Sequence, residues 1–107
     1  MEERIKKIVK VLDDNKANDI QEIDLRDRSY IVDFCVIASC LNPKHGLALL
    51  NHLKDELKPL GEEFLRIDEN DSWCIVDLGD ICIHIMSEEA RAKYSLENFL
   101  ETLEKNN

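Results

Sequence analysis

The stretch Trp73-Cys74-Ile75-Val76-Asp77-Leu78-Gly79-Asp80-Ile81-Cys82-Ile83-His84-Ile85-Met86 constrains this chain more than any other. Two runs of β-branched and apolar residues flank Gly79-Asp80, and glycine accepts the positive φ that a tight hairpin turn demands. Counting outward from the turn sets the register: Leu78 faces Ile81, Asp77 faces Cys82, Val76 faces Ile83, Ile75 faces His84 and Trp73 faces Met86. Side chains alternate across a sheet, so the hairpin has two chemically different faces. One carries Cys74, Val76, Leu78, Ile81, Ile83 and Ile85; it is purely apolar and must be core. The other carries Trp73, Ile75, Asp77, Cys82, His84 and Met86. That second face is too apolar for open solvent and too polar for a simple core, so function is to be sought there.

The rest of the chain supplies partners and cover for the hairpin. Residues 2 to 15 read as a helix, with Ile5, Ile8, Val9 and Leu12 on one side and Lys6, Lys7 and Lys10 on the other. It is expected to cover a sheet and to carry no chemistry. A short strand over 19–25 alternates Ile23 and Leu25 with polar neighbours. After the charged turn Arg26-Asp27-Arg28-Ser29, the run Phe34–Cys40 is apolar on both faces and reads as a central strand. Asn42 as N-cap and Pro43 as first residue open a second helix. Leu47, Leu50, Leu53 and Leu57 form its stripe, Leu49 and Leu60 widen it, and Pro59 and Gly61 close it. A strand over Glu63–Ile67 and a polar loop over 68–72 then lead into the hairpin.

Beyond Met86, Ser87 caps a third helix, with Glu88 and Glu89 at the positive end of its dipole. Glu88, Arg91 and Tyr94 are spaced to share one side of it. Ser95 begins a final amphipathic helix with Leu96, Phe99, Leu100 and Leu103. Helices interleaved with strands, together with a hairpin, predict an α/β fold: a single-domain mixed β-sheet flanked by helices, spanning residues 1–107.

Composition narrows the function classes. The formal net charge of −9, from 14 Lys and Arg against 23 Asp and Glu, argues against direct DNA binding and broad nucleic-acid binding, which need cations on phosphates. It suits a basic protein as partner. No apolar run approaches the roughly 18 residues of a membrane span, and the charged N-terminus does not read as a signal peptide. A cytoplasmic protein without membrane contact is therefore expected, as monomer or homodimer, since the last helix can pack inward or against a copy of itself. Cys35, Cys40, Cys74 and Cys82 all lie in apolar runs and form no C-x-x-C pair. They read as small hydrophobes, and Cys82 with His84 lacks the spacing of a zinc site. No cofactor or metal is expected.

Three constellations could carry chemistry. Asp24, Asp33, Asp77 and Asp80 could hold Mg²⁺ for nucleotidyl transfer, with Asp77 and Asp80 as the metal-dependent pair. Such a site also needs a phosphate cradle, and none of Gly46, Gly61 and Gly79 builds one. Cys82 and His84, two apart on one strand, could form a nucleophile and its base, with Asp77 as orienting residue, but no oxyanion hole is visible. The mixed face itself could be a docking surface, because Trp73, Met86, Arg91 and Tyr94 are of the types enriched at interface cores. Against this stands a final helix folded back over that face to make it core.

The string Trp73-x-x-Val76-Asp77-Leu78-Gly79-Asp80-x-x-x-His84-x-Met86, followed by Glu88-Glu89-x-Arg91-x-x-Tyr94, resembles the ribosomal silencing factor family, also called iojap-like proteins. Weaker likeness runs through Asp33–Ile37 and Lys44-His45. Two places depart from the family pattern. Cys40-Leu41-Asn42-Pro43 stands where the family has a small Gly-Thr/Ser pair, and Ile67-Asp68-Glu69-Asn70 replaces its Glu-Gly before the tryptophan. The resemblance implies a nucleotidyltransferase-like fold without catalytic apparatus. It implies docking on the large ribosomal subunit at the intersubunit-face protein numbered fourteen, which blocks small-subunit joining and reduces translation when nutrients are scarce. Residue by residue, the implied partner-binding set is Trp73, Asp77, Leu78, His84, Met86, Glu88, Arg91 and Tyr94, with Gly79 and Asp80 shaping the turn.

Overall fold

The computed structural model describes residues 1–28 and 30–103. Its elements are α1 (Glu2–Asp14), β1 (Asn18–Asp24), β2 (Phe34–Cys40), α2 (Pro43–Leu57), β3 (Arg66–Asp68), β4 (Trp73–Asp77), β5 (Ile81–Ser87), α3 (Glu88–Tyr94) and α4 (Leu96–Glu101). The strands form one five-stranded sheet in the order β1-β2-β5-β4-β3. Only β2 and β5 run parallel; every other neighbouring pair is antiparallel. The sheet is mixed, as the alternation of helices with a hairpin predicts.

The hairpin register is the predicted one, from Trp73 opposite Met86 to Asp77 opposite Cys82. Leu78 N–H donates to the Ile81 carbonyl at 2.9 Å, and Gly79 takes φ +97°, a conformation costly for a residue with a Cβ. The Asp80 carbonyl accepts from the N–H groups of Asp33 and Phe34, which ties the turn to the start of β2. Every residue of β2 is buried, as befits a strand covered on both sides.

Helices α1 and α2 lie on one side of the sheet. Ile5, Ile8, Val11 and Leu12 of α1 and Leu49, Leu50, Leu53 and Leu57 of α2 pack there with Cys74, Val76, Leu78, Ile81, Ile83 and Ile85 of the hairpin. The purely apolar hairpin face is thus core, as expected. Two leucines assigned to the α2 stripe are not part of it. Leu47 sits off the stripe at helical spacing, Leu60 lies beyond the helix in a single 3-10 turn (Lys58–Leu60), and both are exposed. Val9 is only half-buried and Val11 takes the inward position.

The Asn42 side-chain oxygen accepts from His45 N–H at 2.8 Å, and Gly61 at φ +95° follows the 3-10 turn that ends the element. Strand β3 is shorter and later than expected, because its ladder to β4 begins with Arg66 opposite Asp77.

Helices α3 and α4 lie on the other side, with Ala90 and Leu100 buried beside Ile23, Leu25, Val32, Cys35, Ile37 and Met86. The final helix therefore does fold back, but over β1 and its neighbours. At the β4–β5 end, Trp73, Ile75, Asp77 and Cys82 stay half-buried. Helix α1 proves to carry more than apolar cover. Arg4 donates through Nε and Nη2 to Glu62 at 2.8 Å each, and through Nη1 and Nη2 to Asp80 at 2.6 and 3.0 Å. That clamp joins α1, the segment after α2 and the hairpin turn.

Candidate docking face

Strand alternation puts Trp73, Ile75, Asp77, Cys82, His84 and Met86 on one side of the hairpin, and α3 decides what remains open there. Ser87 Oγ accepts from Ala90 N–H at 3.1 Å and starts α3 directly at the end of β5. Arg91, one turn in, is only 6% exposed. Its Nη1 donates to Ser39 Oγ at 2.9 Å and its Nε to Glu97 at 3.0 Å, while Nη2 lies 3.8 Å from the Asp19 carboxylate. A buried guanidinium needs such partners, and here they bind α3 to β2 and to α4. Tyr94, at the end of the same helix, is 53% exposed and packs on Trp73 with ring centroids 5.2 Å apart.

Beneath Tyr94, Trp73 meets His84 at 5.8 Å between centroids, and its indole N–H donates to His84 Nδ1 at 2.9 Å. Indole nitrogen is a donor only, so Nδ1 carries no proton and the neutral ring must be protonated at Nε2. That Nε2 lies 3.3 Å from Cys82 Sγ. His84 is therefore a donor toward Cys82 and not the base of a nucleophile, which removes the geometry for Cys82–His84 catalysis with base assistance.

The sequence-derived residues fall into two groups. Trp73, Asp77, Glu88 and Tyr94 present at least part of their surface, and His84 lies directly under the Trp73 ring at 6% exposure. Leu78, Met86 and Arg91 are buried, Leu78 on the opposite face of the sheet. Met86 is fully enclosed by the α3–α4 layer because strand pairing sets it beside Ser39 of β2, the most covered strand. Asp77 accepts from Gly79 N–H at 2.8 Å, so it braces the turn whose shape Gly79 and Asp80 determine.

Sequence reasoning put Ile75 on the mixed face but left it out of the partner-binding set, and it passed over Ser39, Glu97 and Arg4, which hold the elements in place. Strand alternation signals Ile75; the other three have no signal without tertiary contacts.

Three of the four aspartates of the nucleotidyl-transfer constellation have other partners. Asp24 pairs with Arg26 at 2.8 Å, Asp80 with Arg4, and Asp77 with the turn backbone. Among the described residues, no group of three or more His, Cys, Asp or Glu is placed to hold a metal ion. No helix among them is long and apolar enough to cross a membrane.

Comparison with known proteins decides the family. The model described as "Ribosomal silencing factor during starvation" matches residues 1–107. This chain belongs to the ribosomal silencing factor family. A Haemophilus influenzae relative named ribosomal silencing factor RsfS is 35% identical over 92 residues, covering 84% of this chain and 90% of the relative. A relative of the same name from Halalkalibacterium halodurans is 31% identical over 98 residues, covering 90% and 84%. The crystal structure of a Chromobacterium violaceum protein superposes with a TM-score of 0.88 at 25% identity, covering 98% of this chain and 89% of that one. A mixed five-stranded sheet flanked by helices is thus shared with solved relatives. Membership in a family named for silencing ribosomes makes this silencing factor a protein of translational regulation.

Proposed function

We propose that this silencing factor acts in the cytoplasm by docking on the large ribosomal subunit, at the intersubunit-face protein numbered fourteen, and that the bound domain sterically blocks small-subunit joining when nutrients are scarce. The observation that carries the reading is the half-open strip on β4 and β5, where Trp73 stacks between the buried His84 and the exposed Tyr94. A large aromatic side chain held rigid and half-exposed is the kind of anchor that dominates protein interfaces, because little entropy is lost when a partner covers it. Trp73, Asp77, Glu88 and Tyr94 touch the partner in this reading. His84, Met86 and Arg91 hold them from below, and Leu78 packs the turn against the core.

The net charge of −9 favours a protein contact over an RNA contact, because rRNA phosphates repel an acidic chain while a basic ribosomal protein attracts it. No reaction is required of the domain: occupying the joining surface is enough. The alternative, a metal-dependent nucleotidyltransferase using Asp77 and Asp80, has no support in the side chains, since both carboxylates are committed to the hairpin turn and to Arg4.

Sedimentation of the purified protein with separated subunits, followed by a joining assay without added nucleotide, tests the proposal. Co-sedimentation with the large subunit alone and loss of joined ribosomes is the expected result. Binding to neither subunit, or binding with normal joining, overturns it.

A further inference from the structure

The half-open strip contains a second kind of chemistry. Cys35 of β2 and Cys82 of β5 are direct partners in the parallel pairing, and both face the α3–α4 side. Neighbouring strands lie about 4.8 Å apart, inside the Cα separation of roughly 4.4–6.8 Å that a disulfide bridges. Cys35 is fully buried, whereas Cys82 is half-buried.

A donor points at the Cys82 sulfur and a second thiol lies beside it. The Trp73 indole forces the His84 proton onto Nε2, which points at Cys82 Sγ across 3.3 Å, and Cys35 is the residue opposite Cys82 on the adjacent strand. The geometry points to Cys82 as a reactive thiolate that peroxide oxidises, and to Cys35 as the thiol that resolves the product into a cross-strand disulfide. The Cys35 hydrogen bond, followed by that of His84, pulls the Cys82 thiol well below the usual range against burial and the Asp77 charge. Cys35 itself is pushed up by the same bond and by burial, so it keeps its proton until Cys82 is oxidised. Tyr30 is also pushed up by burial and by the two sulfurs, and stays neutral.

Each step balances. The Cys82 thiolate attacks one oxygen of hydrogen peroxide, an S–O bond forms, the O–O bond breaks, and hydroxide leaves with two electrons taken from sulfur. The Cys35 sulfur then attacks the Cys82 sulfenic acid; an S–S bond forms, the S–O bond breaks, and the departing hydroxide leaves as water with the Cys35 proton. Cys40 and Cys74 are buried on the opposite face, burial pushes the Cys40 thiol up, and the Cys74 thiol donates to the Asn70 carbonyl at 3.5 Å. They serve as internal controls. This site does not depend on the docking reading.

The full chain, treated at neutral pH with equimolar hydrogen peroxide, then denatured in N-ethylmaleimide and mapped by mass spectrometry, is expected to give a Cys35–Cys82 cross-linked peptide with Cys40 and Cys74 alkylated. Cys35→Ser is expected to stop at a Cys82 sulfenic acid that dimedone captures. Trp73→Phe keeps an aromatic ring but releases the His84 tautomer, and is expected to slow Cys82 oxidation roughly fivefold, the worth of one ordinary hydrogen bond. A wild-type chain whose Cys82 oxidises no faster than Cys40 and Cys74, or which forms no Cys35–Cys82 link, overturns the inference.

Discussion

On one side of the sheet, α1 and α2, of 13 and 15 residues, lay a continuous apolar layer over the hairpin and the central strand. On the other, α3 and α4 have only 7 and 6 residues, too short to reach across the sheet from β1 to β4. The first side is therefore closed and dry. The second is closed over β1 and β2 but thins out over β5 and β4, where Trp73, Ile75, Asp77 and Cys82 remain half-buried. In the proposed reading the same strands serve two ends: one face supplies stability, and the other keeps a rigid strip available for a partner and for thiol chemistry. Rigidity of the strip comes from the closed side, since β4 and β5 cannot move without disturbing Val76, Ile83 and Ile85 in the core.

This contrast predicts a separation of stability from binding. The largest effect is expected from Leu50→Ala, which empties a fully buried position of the closed side and costs about 3 kcal/mol of stability. Urea denaturation reads it, and the folded fraction should bind large subunits normally. An equal loss of affinity in that folded fraction would break the division. Trp73→Ala is expected to show the converse, weakening large-subunit binding by about 2 kcal/mol, roughly thirtyfold, with a smaller loss of stability than Leu50→Ala. Titration of labelled protein against purified subunits measures it, and unchanged affinity would place the ring outside the interface.

Arg91→Met should lie between the two sides in character. It leaves the Glu97 carboxylate without its donor and frees α3 from β2, at a cost of about 1.5 kcal/mol in thermal or urea unfolding. Because Tyr94 is positioned through that helix, binding should fall as well, and Tyr94 fluorescence or NMR shifts would report the displacement.

The smallest effect concerns the Arg4 clamp. The Arg4 hydrogen bonds hold the Asp80 carboxyl below its ordinary value of 3.8, so the folded state binds this proton less readily than the unfolded chain. The stabilisation is present above the ordinary value and is lost as pH falls through the lowered one. Both side chains are about a third exposed, at 34% and 37%, so solvent screening keeps the gain small. Asp80→Asn should lower stability slightly near neutrality and leave it unchanged at pH below the lowered value, so that the acid limb flattens; an unaltered profile would show that the clamp contributes nothing measurable.

How far the sequence reached differs between the two sides. The closed side was readable because it rests on local rules: period-two alternation in the hairpin, the 3.6-residue stripe of α1 and α2, the Asn42-Pro43 start and the glycine at the turn. Even there, Leu47 and Leu60 mislead, since a leucine at a helix margin costs little in water. The open side was readable only as a list of unusual residues on one strand face. Spacing alone left docking surface and core as rivals; the structure buries His84, Met86 and Arg91 and leaves Trp73, Ile75 and Asp77 half-buried along the same strip.

By itself the sequence determined the hairpin register, the two-faced chemistry of β4 and β5, the central position of β2 and the family signature, because each depends on residues near in the chain or on strict alternation. Tertiary structure alone decided that Arg91 and Met86 lie inside while Tyr94 lies outside, that Trp73 sets the tautomer of His84, and that Cys35 meets Cys82. Those outcomes depend on which strands become neighbours. β2 and β5 lie some 47 residues apart in the chain, and no local preference encodes the partner that a parallel pairing brings alongside.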